Sequence, residues 1–118
     1  MRELDIGTKF YTIVSAVDEP DFGANHVYEI RETNSKTSLN LFSKIVFQKG
    51  PIKENGVNGC HNEDLIAIVL DRLQGFQETE FKCRENALAI TKLEEALMWL
   101  NKRTQNRKKK GVEGTSKI

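Results

Sequence analysis

Arg103 and Arg107 stand four residues apart in a stretch of helical spacing, so they share one helix face. Guanidinium forks pair with phosphate oxygens two at a time. Lys108, Lys109 and Lys110 follow, and then the segment Gly111-Val112-Glu113-Gly114-Thr115. Between Glu95 and Glu113 there are six basic residues and no acidic one. The chemistry this suits is capture of a small anion, with glycines letting backbone amides approach it. The same features also describe an ordinary helix end, where positive charge complements the dipole and glycine stops the helix. Residue types alone leave both readings open. The three lysines read as solvated rather than specific.

Other groups offer chemistry at the opposite end of the same hairpin pattern. Phe76 and Phe81 flank a turn; they either close a small core or stack on a nucleobase. In Cys83-Arg84-Glu85-Asn86 the second helix begins, and Asn86 either caps it or meets a base edge. Gly56-Val57-Asn58-Gly59-Cys60-His61-Asn62 leads into a helix N-terminus, which is an anion site in principle. Asn62 reads as its cap, with Glu63 and Asp64 already answering the positive end. Cys60, Cys83, His26 and His61 include no Cys-x-x-Cys pair, so no metal site is expected. No Ser/His/Asp grouping or nucleophile motif appears, and Glu94 and Glu95 face different sides of a helix, so no catalytic residue is expected.

The elements that must position these groups fall into two halves. Lys9 to Val17 is rich in β-branched and aromatic residues and predicts a strand. Asp18 to Asn25, with Pro20, Asp21 and Gly23, predicts a turn. His26 to Glu32 alternates and predicts a second strand. Asn34-Ser35-Lys36 predicts another turn, and Ser38 to Gln48 a third strand. This is an antiparallel meander of about three strands. Gly50 to Gly59 shows neither strand nor helix pattern. Leu65, Ile66, Val69, Leu73 and Phe76 then recur at helical spacing, with Gly75 weakening the helix end. Ile90, Leu93, Leu97, Leu100 and Thr104 form a seam that wants a second helix beside it. The fold class is therefore α+β: a β-rich part, 1–49, then a two-helix antiparallel hairpin and tail, 50–118, in a single domain. Met98 and Trp99 lie off the seam, against the sheet or a second subunit. The tail from Gly111 is either frayed or folded back.

Composition narrows the function classes. The 118 residues carry 18 Lys plus Arg against 17 Asp plus Glu, a net charge of +1. That is no general nucleic-acid footprint, and the basic run lacks interleaved aromatic platforms. A small nucleic-acid-binding module using the 102–110 run remains the alternative reading. Two cysteines make no disulfide framework and fit a reducing cytosol. No apolar run approaches the roughly 20 residues of a membrane helix, so no membrane partner is expected.

Several of these segments, in order, resemble one known family. They are Gly56-Val57-Asn58-Gly59, Asn62-Glu63-Asp64-Leu65, Asp71 to Gln77, Cys83 to Asn86, and Arg103 through Arg107 to Thr115. Together they are similar to the hairpin domain shared by the Thoeris anti-defence protein 1 family and the anti-CBASS cyclic-nucleotide sponges of phages. Residues 50–118 carry the similarity; the β-rich front resembles the Thoeris group. The resemblance implies a sponge, not an enzyme, with no cofactor. Such a protein binds an immune messenger whole and withholds it from the host effector, in the cytoplasm of the infected bacterium. The implied messenger is a glyco-cyclic ADP-ribose made by a TIR enzyme; some members also take cyclic trinucleotides between subunits. By resemblance, Phe76, Asn86 and Arg103 match the messenger pocket, completed by strands of a partner subunit, and Arg84 adds charge. Arg107 with Gly111, Val112, Glu113, Gly114 and Thr115 matches the intersubunit cyclic-nucleotide site. A symmetric homo-oligomer follows, a dimer at least and a hexamer by resemblance.

Overall fold

The computed structural model describes residues 1–7, 9–33 and 40–118. The chain divides into two compact units, Met1–Cys60 and His61–Ile118.

The first unit is an antiparallel sheet in sequential order, formed by β1 (Arg2–Glu3), β2 (Thr12–Ala16), β3 (Val27–Glu32) and β4 (Leu41–Val46). The meander is as the alternating pattern predicts, with one strand more. β1 escapes sequence reading because two residues have no period. It exists through pairing alone, Arg2 opposite Ala16 and Glu3 opposite Ser15. β2 starts later than its residue types suggest: Lys9 sits at φ 57°, a left-handed conformation that no strand can include. The turn before β3 is a tight hairpin in which Asp21 and Ala24 exchange backbone hydrogen bonds around Phe22 and Gly23, both at positive φ. The predicted turn at Asn34-Ser35-Lys36 and the first residues of the third predicted strand, Ser38 and Leu39, lie outside the described residues.

The segment after β4 is more ordered than its glycines suggest. Ile52–Asn55 forms one helical turn, α1, where sequence reading expects only loop. The Pro51 carbonyl accepts from the amides of Glu54 and Asn55, and Gly56 at φ 69° ends the turn. Gln48 and Asn58 then lace the segment together. The Gln48 amide donates to the Gly50 and Gly56 carbonyls, and the Asn58 side chain bonds both backbone groups of Lys49. Cys60 finally pairs alongside Phe47. The core of this unit is small: Ala16, Ser15 and His26 are its buried residues among those described, and Tyr28 meets Phe47 edge to face.

The second unit is the helical hairpin, α2 (Asn62–Gln77) packed on α3 (Arg84–Lys110). α2 is capped by His61, not by Asn62 as the sequence suggests. Asp64, three residues into the cap motif, reaches back to accept the His61 amide at 2.8 Å, so Asn62 becomes the first helical residue. The connection is held by Gln77, whose side chain takes the Cys83 amide at 3.0 Å and donates to its carbonyl at 3.1 Å. The seam of α3 is half-buried at Asn86, Ile90, Leu93, Leu97, Leu100, Thr104 and Arg107. Neither helix has a fully buried residue, because two helices enclose too little volume to exclude water from their seam.

Candidate ligand-binding site

The helical register distributes the candidate residues into two groups. Phe76 lies in the last turn of α2, and Arg84 and Asn86 open α3, so these three lie at the turn. Arg103, Arg107 and the segment 111–115 lie at the other end of α3. Seventeen residues separate Asn86 from Arg103, which is about 25 Å at 1.5 Å per residue. Phe76, Asn86 and Arg103 therefore do not meet within one chain.

At the turn, Phe76 is half-buried and its ring lies under the Arg72 guanidinium, 5.0 Å from centroid to carbon. Arg72 precedes Phe76 by four residues, so one helix face presents both. Asn86 is half-buried on the seam, while Arg84, two residues earlier, is exposed. Phe81 is exposed in the connection. Sequence reading singled out Phe76 but overlooked Arg72. The signal was present in the i, i+4 spacing of an arginine and an aromatic residue.

At the far end, the tail is folded back. Gly111 adopts φ 73°, ψ 19°, and the Val112 amide donates to the Arg107 carbonyl at 3.1 Å while the Gly111 amide donates to Lys108. That is a Schellman stop, and it turns the chain back toward the last helical turn. One terminal nitrogen of Arg107 then donates to the carbonyls of Val112 and Thr115, both at 3.0 Å. The Thr115 hydroxyl also bonds the Val112 carbonyl. Val112, Glu113, Gly114 and Thr115 are half-buried. Arg107 and the glycine-rich segment are thus one assembly, in which the arginine shapes the loop. Its remaining guanidinium donors, at Nε and the other terminal nitrogen, are the ones left for an anion. Arg103 and Lys108 to Lys110 are exposed. Trp99 is exposed beside Lys102, whose ammonium lies 5.3 Å from its ring.

The first unit contributes structure around its turn. The Asp18 carboxylate accepts the amides of His26 and Val27 and the side-chain amide of Asn25. Burial pushes the Asp18 carboxyl up, but these hydrogen bonds outweigh it and hold the group below the usual carboxylate range. His26 donates from Nε2 to the Asp21 carbonyl at 2.6 Å. Among the described residues, no three of His, Cys, Asp and Glu gather to hold a metal ion. Among them, too, no helix is long and apolar enough to cross a membrane.

A sheet followed by a packed helical hairpin, with an aromatic and amide group at the turn and guanidinium groups at the far end, defines an α+β hairpin protein. The model of the Acb2/Tad1 hairpin domain matches residues 41–105, more than half of the chain, and the chain belongs to that family. The match includes Phe76, Arg84, Asn86 and Arg103 and ends before Arg107 and the tail. A protein called Thoeris anti-defense 1, of Bacillus phage SBSphiJ7, is 71% identical over 85 residues, which is 72% of this chain and 60% of that relative. The chain thus spans about 60% of the relative's length.

Proposed function

We propose that this protein is an anti-defence sponge that captures a cyclic nucleotide immune messenger inside the infected cell and holds it unchanged. The observation that carries the reading is the 71% identity to a Thoeris anti-defense protein. The messenger that fits is a glyco-cyclic ADP-ribose, with a cyclic trinucleotide as a second ligand class. Its phosphates suit Arg103, its base suits Phe76, and a base or ribose edge suits Asn86, with Arg84 adding charge. The loop from Gly111 to Thr115, braced by Arg107, suits a second phosphate-bearing ligand. Nothing in these roles requires a bond to break.

The separation of the two groups supports a pocket made by more than one copy. An antiparallel pairing of hairpins sets Phe76 and Asn86 of one chain against Arg103 of another. A half-buried seam and exposed Leu88, Met98 and Trp99 on α3 favour such an association. A symmetric dimer is then the smallest competent form, with a hexamer as a larger one. Burial in a preformed pocket also suits a protein that must outcompete an effector for its ligand.

The test is to mix protein and glyco-cyclic ADP-ribose, remove unbound ligand, denature by heat and analyse what is released. Intact messenger is the expected product; a chemically altered one defeats the sponge reading. Salt separates it from the alternative, a nucleic-acid-binding module using the 102–110 run. Binding to a polyanion collapses as salt rises, whereas capture in a pocket is affected far less.

A further inference from the structure

Arg72 lies in the Asp71 to Gln77 segment but has no role assigned to it, yet its guanidinium packs on the Phe76 ring. Its neighbours three and four residues away on α2 are Ile68, Val69, Gly75 and Phe76, so the helix offers it no acid. The turn does carry Glu78, Glu80 and Glu85, but among the described residues no ion pair joins any of them to Arg72. The guanidinium instead lies over the Phe76 ring, 5.0 Å from its centroid, and is exposed. A planar cation on an aromatic face does two things. It restrains the ring against rotation, and it covers one ring face with a charge that carries fork donors, so that a base stacks on the opposite face or on the guanidinium plane itself.

We infer that Arg72 is a specificity-determining residue of the Phe76 site, selecting ligands in which a phosphate lies close to an aromatic base. This deepens the messenger-capture reading and rests on Phe76 being its stacking residue. Phe76 alone takes any aromatic base, since every base has a π face. With Arg72 stacked beside it, the pair favours an anionic nucleotide over an uncharged nucleoside. Lysine is no equivalent, because its ammonium keeps the charge but lacks the plane that stacks and the fork that grips two oxygens.

The test is calorimetry on the full chain with glyco-cyclic ADP-ribose as the probe, at low and high salt. Arg72→Met, Arg72→Lys and Phe76→Ala are compared with the parent, each first shown to be helical by circular dichroism. Arg72→Met is expected to bind about tenfold more weakly at low salt, as loss of one charge-assisted contact implies. Its deficit shrinks at high salt, where the exposed charge is screened. Arg72→Lys is expected to fall between the two. If Arg72→Met binds as the parent does while Phe76→Ala fails, Arg72 has no part in recognition and the inference is overturned. A deficit of equal size at both salt concentrations also overturns it, since that is a packing effect. If Phe76→Ala itself keeps the parent affinity, the underlying pocket assignment falls instead.

Discussion

Arg107, which sequence alone leaves between a helix-end charge and a ligand group, braces the loop that follows the helix. Its carbonyl takes part in the helix stop, and its guanidinium closes the loop onto the carbonyls of Val112 and Thr115. Arg107→Met should therefore free the tail without melting α3. The check is amide hydrogen exchange, which should speed up about tenfold or more at Thr115, where charge-assisted bonds of about 1.5–3 kcal/mol are lost. Unchanged exchange there would mean that the loop holds itself. Asp18 gives a prediction in pH. Its folded carboxyl is held low, so the stability it contributes is present above the ordinary carboxylate pKa. That contribution is lost as pH falls through the depressed folded value. Asp18→Asn should lower the stability of the sheet unit at neutral pH and flatten the acid limb of its unfolding curve, measured by urea denaturation across pH. A variant as acid-sensitive as the parent would contradict this.

At the scale of elements, two glycines behave oppositely. A Cβ on Gly59 would lie 2.4 Å from the Phe47 carbonyl carbon, and backbone cannot yield as a side chain can. Gly59→Ala should break the alignment of Cys60 with Phe47 and destabilise the sheet unit by about 1–3 kcal/mol, seen as a lower urea midpoint. Gly75 lies within α2 with open space where its Cβ would be. Gly75→Ala should stabilise the hairpin by up to about 1 kcal/mol, seen as a higher thermal midpoint. The three longer strands and both long helices were legible because hydrophobic period and turn residues report them directly. β1 and α1 were not, since two residues and a single turn are too short for a period and owe their form to partners. The cap at His61 was missed for a related reason: Asp64 decides it by reaching backward, and Asn62 only looks like the stronger capping residue.

At the scale of the molecule, the notable quantity is how little apolar surface each unit encloses. Ala16 is the buried apolar residue among those described, and α2 and α3 have none. Trp99, Met98 and Leu88 stay exposed on α3. Burial of such surface between copies contributes on the order of 25 cal/mol per Å². Sedimentation of the free protein should show a dimer or larger species, and Met98→Glu combined with Trp99→Glu should shift it toward monomer. If the double variant associates as the parent does, the outer face of α3 is not the interface. Capture of messenger should weaken together with association, because each proposed pocket draws one of its two groups from each of two chains.

Residue order by itself determined the α+β class, the hairpin register and the kind of chemistry available, because period, charge and glycine placement are local properties. It also carried the family resemblance, which the match over residues 41–105 bears out. Spacing along the chain could not say which of the candidate groups meet. The length of α3 puts Asn86 and Arg103 about 25 Å apart. The backward fold of the tail joins Arg107 to Val112 and Thr115. Those pairings depend on where the backbone runs in three dimensions, and only the tertiary structure decided them.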